Sequence, residues 1–194
     1  MAKNPLYPFA GGDHALGFIA SYFGNQKPAI ASTSFTRPAN TTDYADGEII
    51  FPAPPAEGDA PGSLVFSGAI PSGGTSFLLQ AVLLDMATQV TKLDADLMLF
   101  SAAPETPPVD GEAFAPTAAD MSNYLTTVSF SGGVSSEVGV ATVYEVVPNK
   151  PLAAAPESVD LHGILVARNA YTPVSEEEFI IKIGLMPRVF GLFS

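Results

Sequence analysis

The sequence predicts a single all-β domain, an antiparallel sandwich of about eight or nine strands, preceded by an extended N-terminal arm. Three observations point there. The 18 prolines and 17 glycines are spread along the chain at short intervals. The apolar runs between them are short, and several alternate with polar residues. No helical pattern separates them, as a βαβ fold would require. At 194 residues the chain can bury one core, and it is too short for two ordinary domains without a visible linker.

Residues 1–28 hold Pro5, Pro8, Gly11, Gly12, Gly17 and Gly24 among Tyr7, Phe9, Phe18, Tyr22 and Phe23. Such a segment is too broken for a long helix and reads as an arm whose aromatic rings need burial, on its own sandwich or on a neighbouring subunit. Residues 29–194 then form one sandwich domain. A first strand runs from about Ala29 to Arg37, where Pro38 stops the ladder. Asn40, Thr41, Thr42 and Asp43 suit Asx- and Thr-type turns, Tyr44 anchors the corner, and Gly47 takes positive φ before Glu48-Ile49-Ile50-Phe51 resumes extension. In that corner Asp43 and Asp46 are placed to hold Arg37 as an exposed local brace, a contact worth under about 1 kcal/mol.

After a proline-rich loop at 52–60, Ser63–Ser67 is a short strand. Ser76 to about Gln89 reads as a strand with Phe77, Leu79, Ala81 and Leu83 on one face, although its apolar run is also compatible with a helix. Asp94–Phe100 alternates cleanly. The long loop 102–117 carries Pro104, Pro107, Pro108 and Pro116, and Thr117 is placed to cap a single helical turn with Asp120 in it. Four further strands follow at 124–131, 138–147, 160–170 and 178–186. The apolar tail Pro187–Ser194, with Phe190 and Phe193, either closes the core or docks on a partner. No internal repeat suggests a solenoid or propeller.

Charge narrows the function classes. Eight Lys and Arg against 20 Asp and Glu give a formal net charge of −12, and the eight cations are scattered, which argues against nucleic-acid binding. Charged residues are 14% of the chain against about 25% in ordinary domains, so much of the surface is neutral and fits coverage by neighbours. No apolar run reaches the roughly 18 residues of a membrane helix, and the start Met1–Pro8 lacks the apolar core of a secretory signal. With no cysteine, disulfides and thiolate metal sites are excluded, which fits production in a cytoplasm.

Catalytic signals are weak. His14 and His162 are the only histidines; Asp160 and His162 share a strand face and could orient a general base, but no nucleophile elbow accompanies them, and such a pair is usually a surface hydrogen bond. Asp94 and Asp96, and Asp110, Glu112 and Asp120, offer oxygen ligands without the spacing of a calcium loop, so they read as solvated acids rather than a metal site. Glu176-Glu177-Glu178 reads as a solubilising connection. Gly73-Gly74 and Gly132-Gly133 read as turns, because no Lys-Ser or Lys-Thr follows at phosphate-loop spacing. No cofactor and no catalytic residue is expected.

The wording of Thr36–Ile50 resembles a segment of small structural proteins of tailed bacteriophages, among them capsid cement or decoration proteins with a jelly-roll sandwich. Residues 96–104 and 107–116 resemble the strand and loop that follow in those proteins, and 161–173 their penultimate strand and turn. The resemblance implies a jelly roll and a non-enzymatic virion protein on the capsid exterior. Its partners would be the major capsid protein, whose subunits it bridges, and other copies of itself in a dimer or trimer. On that reading Tyr7, Phe9, Phe18, Tyr22 and Phe23 of the arm, Pro107, Pro108 and Phe114 of the long loop, and Phe190 and Phe193 of the tail make the capsid or subunit interface. A tail, baseplate or fibre component and a carbohydrate-binding sandwich are the alternatives.

Overall fold

The structure is a computed structural model that describes residues 28–52, 63–71, 74–87, 89–105, 108–136, 141–155 and 158–188. Of the expected arm at 1–28, residues 1–27, and of the expected tail at 187–194, residues 189–194, lie outside the described residues, as do Tyr7, Phe9, Phe18, Tyr22, Phe23, Pro107, Phe190 and Phe193.

Strands form where short apolar runs end in turn signals. Among the described residues they are β1 (Ala29–Thr36), β2 (Ile49–Ile50), β3 (Leu64–Phe66), β4 (Thr75–Asp85), β5 (Ala95–Phe100), β6 (Tyr124–Phe130), β7 (Val134–Ser135), β8 (Thr142–Val146), β9 (Lys150–Ala153), β10 (Leu161–Ala167) and β11 (Glu178–Arg188), together with a short helix, α1 (Ala118–Ser122). The first sheet has the order β1-β11-β4-β8-β7, with β9 also on β4; the second has β2-β10-β5-β6, with β3 also on β10. All pairings are antiparallel.

The two split edges explain the count of eleven. β2 and β3 pair with successive parts of β10, and β8 and β9 with successive parts of β4. With each split edge taken as one strand and the short β7 set aside, the sheets run 1-8-3-6 and 2-7-4-5, the connectivity of a jelly roll with its two Greek keys. The sequence hides β9 because Asn149-Lys150-Pro151 reads as a turn. Asn149 does adopt φ 48°, and Pro151 is tolerated because β9 pairs on one side only among the described residues.

Two layers of apolar side chains hold the fold. Between the sheets, Leu78, Ala81, Leu83, Phe179, Ile181, Ile183 and Leu185 meet Ile50, Phe66, Leu97, Leu99, Leu165 and Phe130, all at 0–1% exposure. The face expected for β4 is corrected here. The register with β11 slips between Gly184 and Leu185, leaving Leu79 unpaired as a bulge. Leu78 rather than Leu79 therefore shares the buried face with Ala81, Leu83 and Asp85.

The second layer lies on the opposite face of the second sheet, where Ile164, Val166 and Phe100 are buried too. The long loop after β5 covers them. Its residues 111–114 run along the free edge of β2: Ile49 N–H donates to Glu112 C=O (2.9 Å), Gly111 N–H to Ile49 C=O (2.9 Å) and Phe114 N–H to Gly47 C=O (3.0 Å). The rings of Phe114 and Tyr124 then stand edge-on to Phe100 at 6.4 and 5.9 Å. Thr117 caps α1 as expected: Asp120 N–H donates to its hydroxyl (3.1 Å), and the Asp120 carboxylate accepts the Thr117 N–H (2.8 Å). Thr117→Ala is expected to lower stability by about 1 kcal/mol, measurable as a shift in urea midpoint.

Candidate functional site: a charged plug at one end of the sandwich

Along β1 the side chains of Ala31 and Phe35 enter the core, and the same two-residue period carries Arg37 inward just past the strand. On β11 the buried series Phe179, Ile181, Ile183 extends back to Glu177, and on β4 the series Ala81, Leu83 extends to Asp85. Three neighbouring strands thus each deliver a charged residue to one mouth of the sandwich. Arg37, Glu177 and Asp85 are 1%, 2% and 0% exposed.

This overturns the reading of Arg37 as an exposed brace held by Asp43 and Asp46. Its partners are Asn40 and Tyr44 within the corner and, from far along the chain, Asp110 and Val174. The guanidinium Nε donates to the Tyr44 hydroxyl, Nη2 is 3.4 Å from Asp110 Oδ2, and Nη1 is 3.4 Å from Val174 C=O. The guanidinium carbon lies 4.6 Å above the Tyr44 ring. The Tyr44 hydroxyl donates in turn to Asp110 Oδ1, which also accepts the Phe51 N–H (2.9 Å). Asp46 pairs instead with Arg168 (3.6 Å), which also holds Asp96 at 2.7 Å.

The corner itself is built as expected. Asn40 Oδ1 accepts the Thr42 N–H (3.1 Å), Gly47 has φ +92°, and Tyr44 is 2% exposed. Tyr44 also exchanges both backbone hydrogen bonds with Tyr171, at 2.9 and 3.2 Å, so the corner is stitched to the turn between β10 and β11. Burial, followed by the adjacent Asp110, drives the Tyr44 hydroxyl far above the usual phenol range.

Behind this sits a buried acid pair. The Tyr171 hydroxyl is 2.6 Å from Glu177 Oε1 and 3.3 Å from Asp85 Oδ2. A hydroxyl has one proton, so it can donate to one carboxyl only; the other contact needs a proton from the acid. Burial raises both carboxyls, Glu177 to about 8, and each lies close enough to affect the other. Among the described residues the Glu177 atom Oε2 has no hydrogen-bond partner. The triple-Glu connection is therefore not uniformly solvated: Glu176 and Glu178 are exposed and Glu177 is not.

Other expected residues disperse. Asp160 and His162 do not pair: Asp160 Oδ1 accepts the Gly68 N–H (2.8 Å), while His162 Nδ1 meets the Ser63 hydroxyl at 2.6 Å. Burial holds the imidazole below its ordinary pKa, with Asp160 opposing. Asp110, Glu112 and Asp120, adjacent in sequence, take separate tasks: the Arg37 clamp, the β2 edge and the α1 cap. Among the described residues no group of three or more His, Cys, Asp or Glu could hold a metal ion.

Of the expected interface residues that are described, Pro108 is buried by its own chain and Phe114 is half-buried against Phe100. Beside them Val109, 53% exposed, lines a shallow pocket of ≈ 170 Å³ with Ile49, Pro116 and Phe114.

Gly133 serves the plug from the side. A Cβ there would stand 2.3 Å from the Tyr144 ring, and the Tyr144 hydroxyl accepts the Leu93 N–H (3.0 Å). Gly133→Ala is expected to destabilise by about 1–3 kcal/mol through this overlap, with thermal melting as the readout.

No family model and no curated protein matches this chain. Among solved structures, a Clostridium thermocellum endo-1,4-beta-D-xylanase 10B chain, comprising CBM22-1 and GH10 modules complexed with xylohexaose, aligns over 87% of this chain at 10% identity and a TM-score of 0.34. This chain spans 30% of that one. Mud Crab Dicistrovirus aligns over 100% of this chain and 83% of its own at 12% identity and a TM-score of 0.24. Likenesses this weak do not bear on function. Fold and site together define an antiparallel two-sheet jelly roll with a charged, tyrosine-lined plug at one mouth.

Proposed function

We propose that this chain is a non-enzymatic structural protein of a tailed-phage virion, which binds the capsid surface and stabilises the head by bridging major capsid subunits. One observation carries the reading. The three stretches that resemble phage virion proteins meet in the fold as one interlocked unit. Arg37 and Tyr44 come from the first, Asp96 and Asp110 from the second, and Arg168 and Tyr171 from the third; every one of them bonds a residue of another stretch. The resemblance thus covers a set of mutually dependent residues rather than three unrelated phrases.

A protein that binds only the assembled lattice stabilises it by mass action, and many copies sum modest contributions. The sparse charge of the chain suits a surface covered by neighbours. The test is quantitative mass spectrometry of purified heads and tails, followed by adding the protein to mature shells that lack it. Many copies on heads and a gain in heat resistance are expected. A few copies that co-purify with tails would overturn the proposal. Removal of residues 1–28 is expected to lower shell occupancy; unchanged occupancy and heat resistance would remove the arm from the interface.

A further inference from the structure

The first sheet ends in β1, an eight-residue strand that pairs only with β11 among the described residues. Arg37 N–H donates to Glu177 C=O directly opposite (2.9 Å), whereas Met86 N–H, just past the end of β4, donates to Glu178 C=O (3.0 Å). Odd-numbered residues of β11 therefore bond β1, and even-numbered ones bond β4. On β1 the odd residues face β11. The N–H and C=O groups of Ile30, Ser32, Ser34 and Thr36 consequently point out of the sheet edge.

Long edges of this kind normally carry Lys, Glu, an internal Pro or a bulge that blocks further pairing. Ala29-Ile30-Ala31-Ser32-Thr33-Ser34-Phe35-Thr36 has none of these. In a chain of net charge −12, it offers a stretch where two copies can approach without opposing like charges. Its outward side chains are exposed, Ile30 to 76%.

The edge is also self-complementary. We propose that β1 pairs antiparallel with β1 of a second copy about a two-fold axis through Thr33, which joins the two first sheets into one. In this register Ile30 faces Thr36 of the second copy and Ser32 faces Ser34, so every outward N–H and C=O finds its complement. Thr33 meets its own copy as a close non-hydrogen-bonded pair, an arrangement that favours threonine. The ladder is closed at both ends by Pro28 and Pro38, which lie five residues on either side of Thr33 and face each other across the axis, neither with an N–H to continue it. A shift of the register would set a proline against a strand residue that needs a donor. The pairing does not depend on the virion reading, and a solution dimer would stand whether or not the protein binds capsids.

The experiment is sedimentation of the full chain over a concentration series, with two charge variants and two cysteine variants. The wild type is expected to dimerise. Ser32→Lys with Ser34→Lys sets Lys against Lys across the axis and is expected to weaken the dimer at least about tenfold. Ser32→Lys with Ser34→Glu sets opposite charges there and restores it. The chain has no native cysteine, so Thr33→Cys is expected to give a disulfide-linked dimer on mild oxidation, and Ile30→Cys, distant from its own copy in this register, is not. The cysteine arm decides the matter if the lysine variant loses its native circular dichroism. A wild type that is monomeric throughout, a trimer, a dimer that survives in a folded double-lysine variant, or cross-linking of Ile30→Cys without cross-linking of Thr33→Cys would each overturn the proposal. A monomer would assign the edge to residues 1–27 or to another protein.

Discussion

Asp110→Ala is expected to destabilise the domain by about 3–5 kcal/mol, because it leaves a buried guanidinium without its counter-charge. At a domain size of 150–250 residues this corresponds to a fall in Tm on the order of 10 °C. Arg37 is 1% exposed and cannot turn to water, and the Tyr44 hydroxyl and Phe51 N–H lose an acceptor in the same step. Arg37→Met combined with Asp110→Asn removes the unpaired charge while keeping an oxygen for Tyr44, and is expected to recover part of the loss. Asp43→Ala and Asp46→Ala should leave stability nearly unchanged, since neither touches the guanidinium. Denaturant melts of these variants decide the point: a D110A midpoint within about 1 kcal/mol of wild type would mean that the clamp does not hold the corner.

Stability is also expected to fall as pH rises from about 5 to about 9, with the acid pair responsible. Burial lifts the Glu177 carboxyl to about 8 from an ordinary 4.5, so the folded chain keeps a proton that the unfolded chain has released. Its contribution is complete below about pH 4.5, diminishes through the interval and is gone above about pH 8; on the order of a few kcal/mol is involved. The groups that face the pair are Tyr171, Tyr144, Lys92 and Arg37, and of these the Tyr171 hydrogen bond first, then the two cations, oppose the rise. Glu177→Gln keeps an oxygen for Tyr171 and removes the titration. Its melting temperature should stay level across this interval and exceed that of wild type at the alkaline end. Parallel pH profiles for the two proteins would reject the assignment.

Much of the fold is legible because turn chemistry and alternation are local. Pro38, Asn40 and Gly47 sit where the corner needs them, and Thr117 caps its helix. The plug was legible in part. Arg37 continues the parity of Ala31 and Phe35, and Glu177 that of Phe179 and Ile181, so two-residue counting points both inward; charge alone suggests the opposite. Their partners could not be read, because Asp110 reaches Arg37 across 73 residues and only the path of the long loop brings it there. Asp85 likewise continues the parity of Ala81 and Leu83; what the bulge at Leu79 hides is that Leu78 takes the inward place, because a bulge leaves no composition signal in an apolar run.

The adjacency of β1 and β11 has a mechanical consequence. Ala29 stands opposite Leu185, so the chain enters the first sheet and leaves it at the same end. A pull between those two points would load the β1–β11 ladder one rung at a time and peel it open. A pull between the entry to β1 and the far mouth of the sandwich would instead shear all the rungs together. A lattice that strains this protein would be resisted far better along the second line than the first.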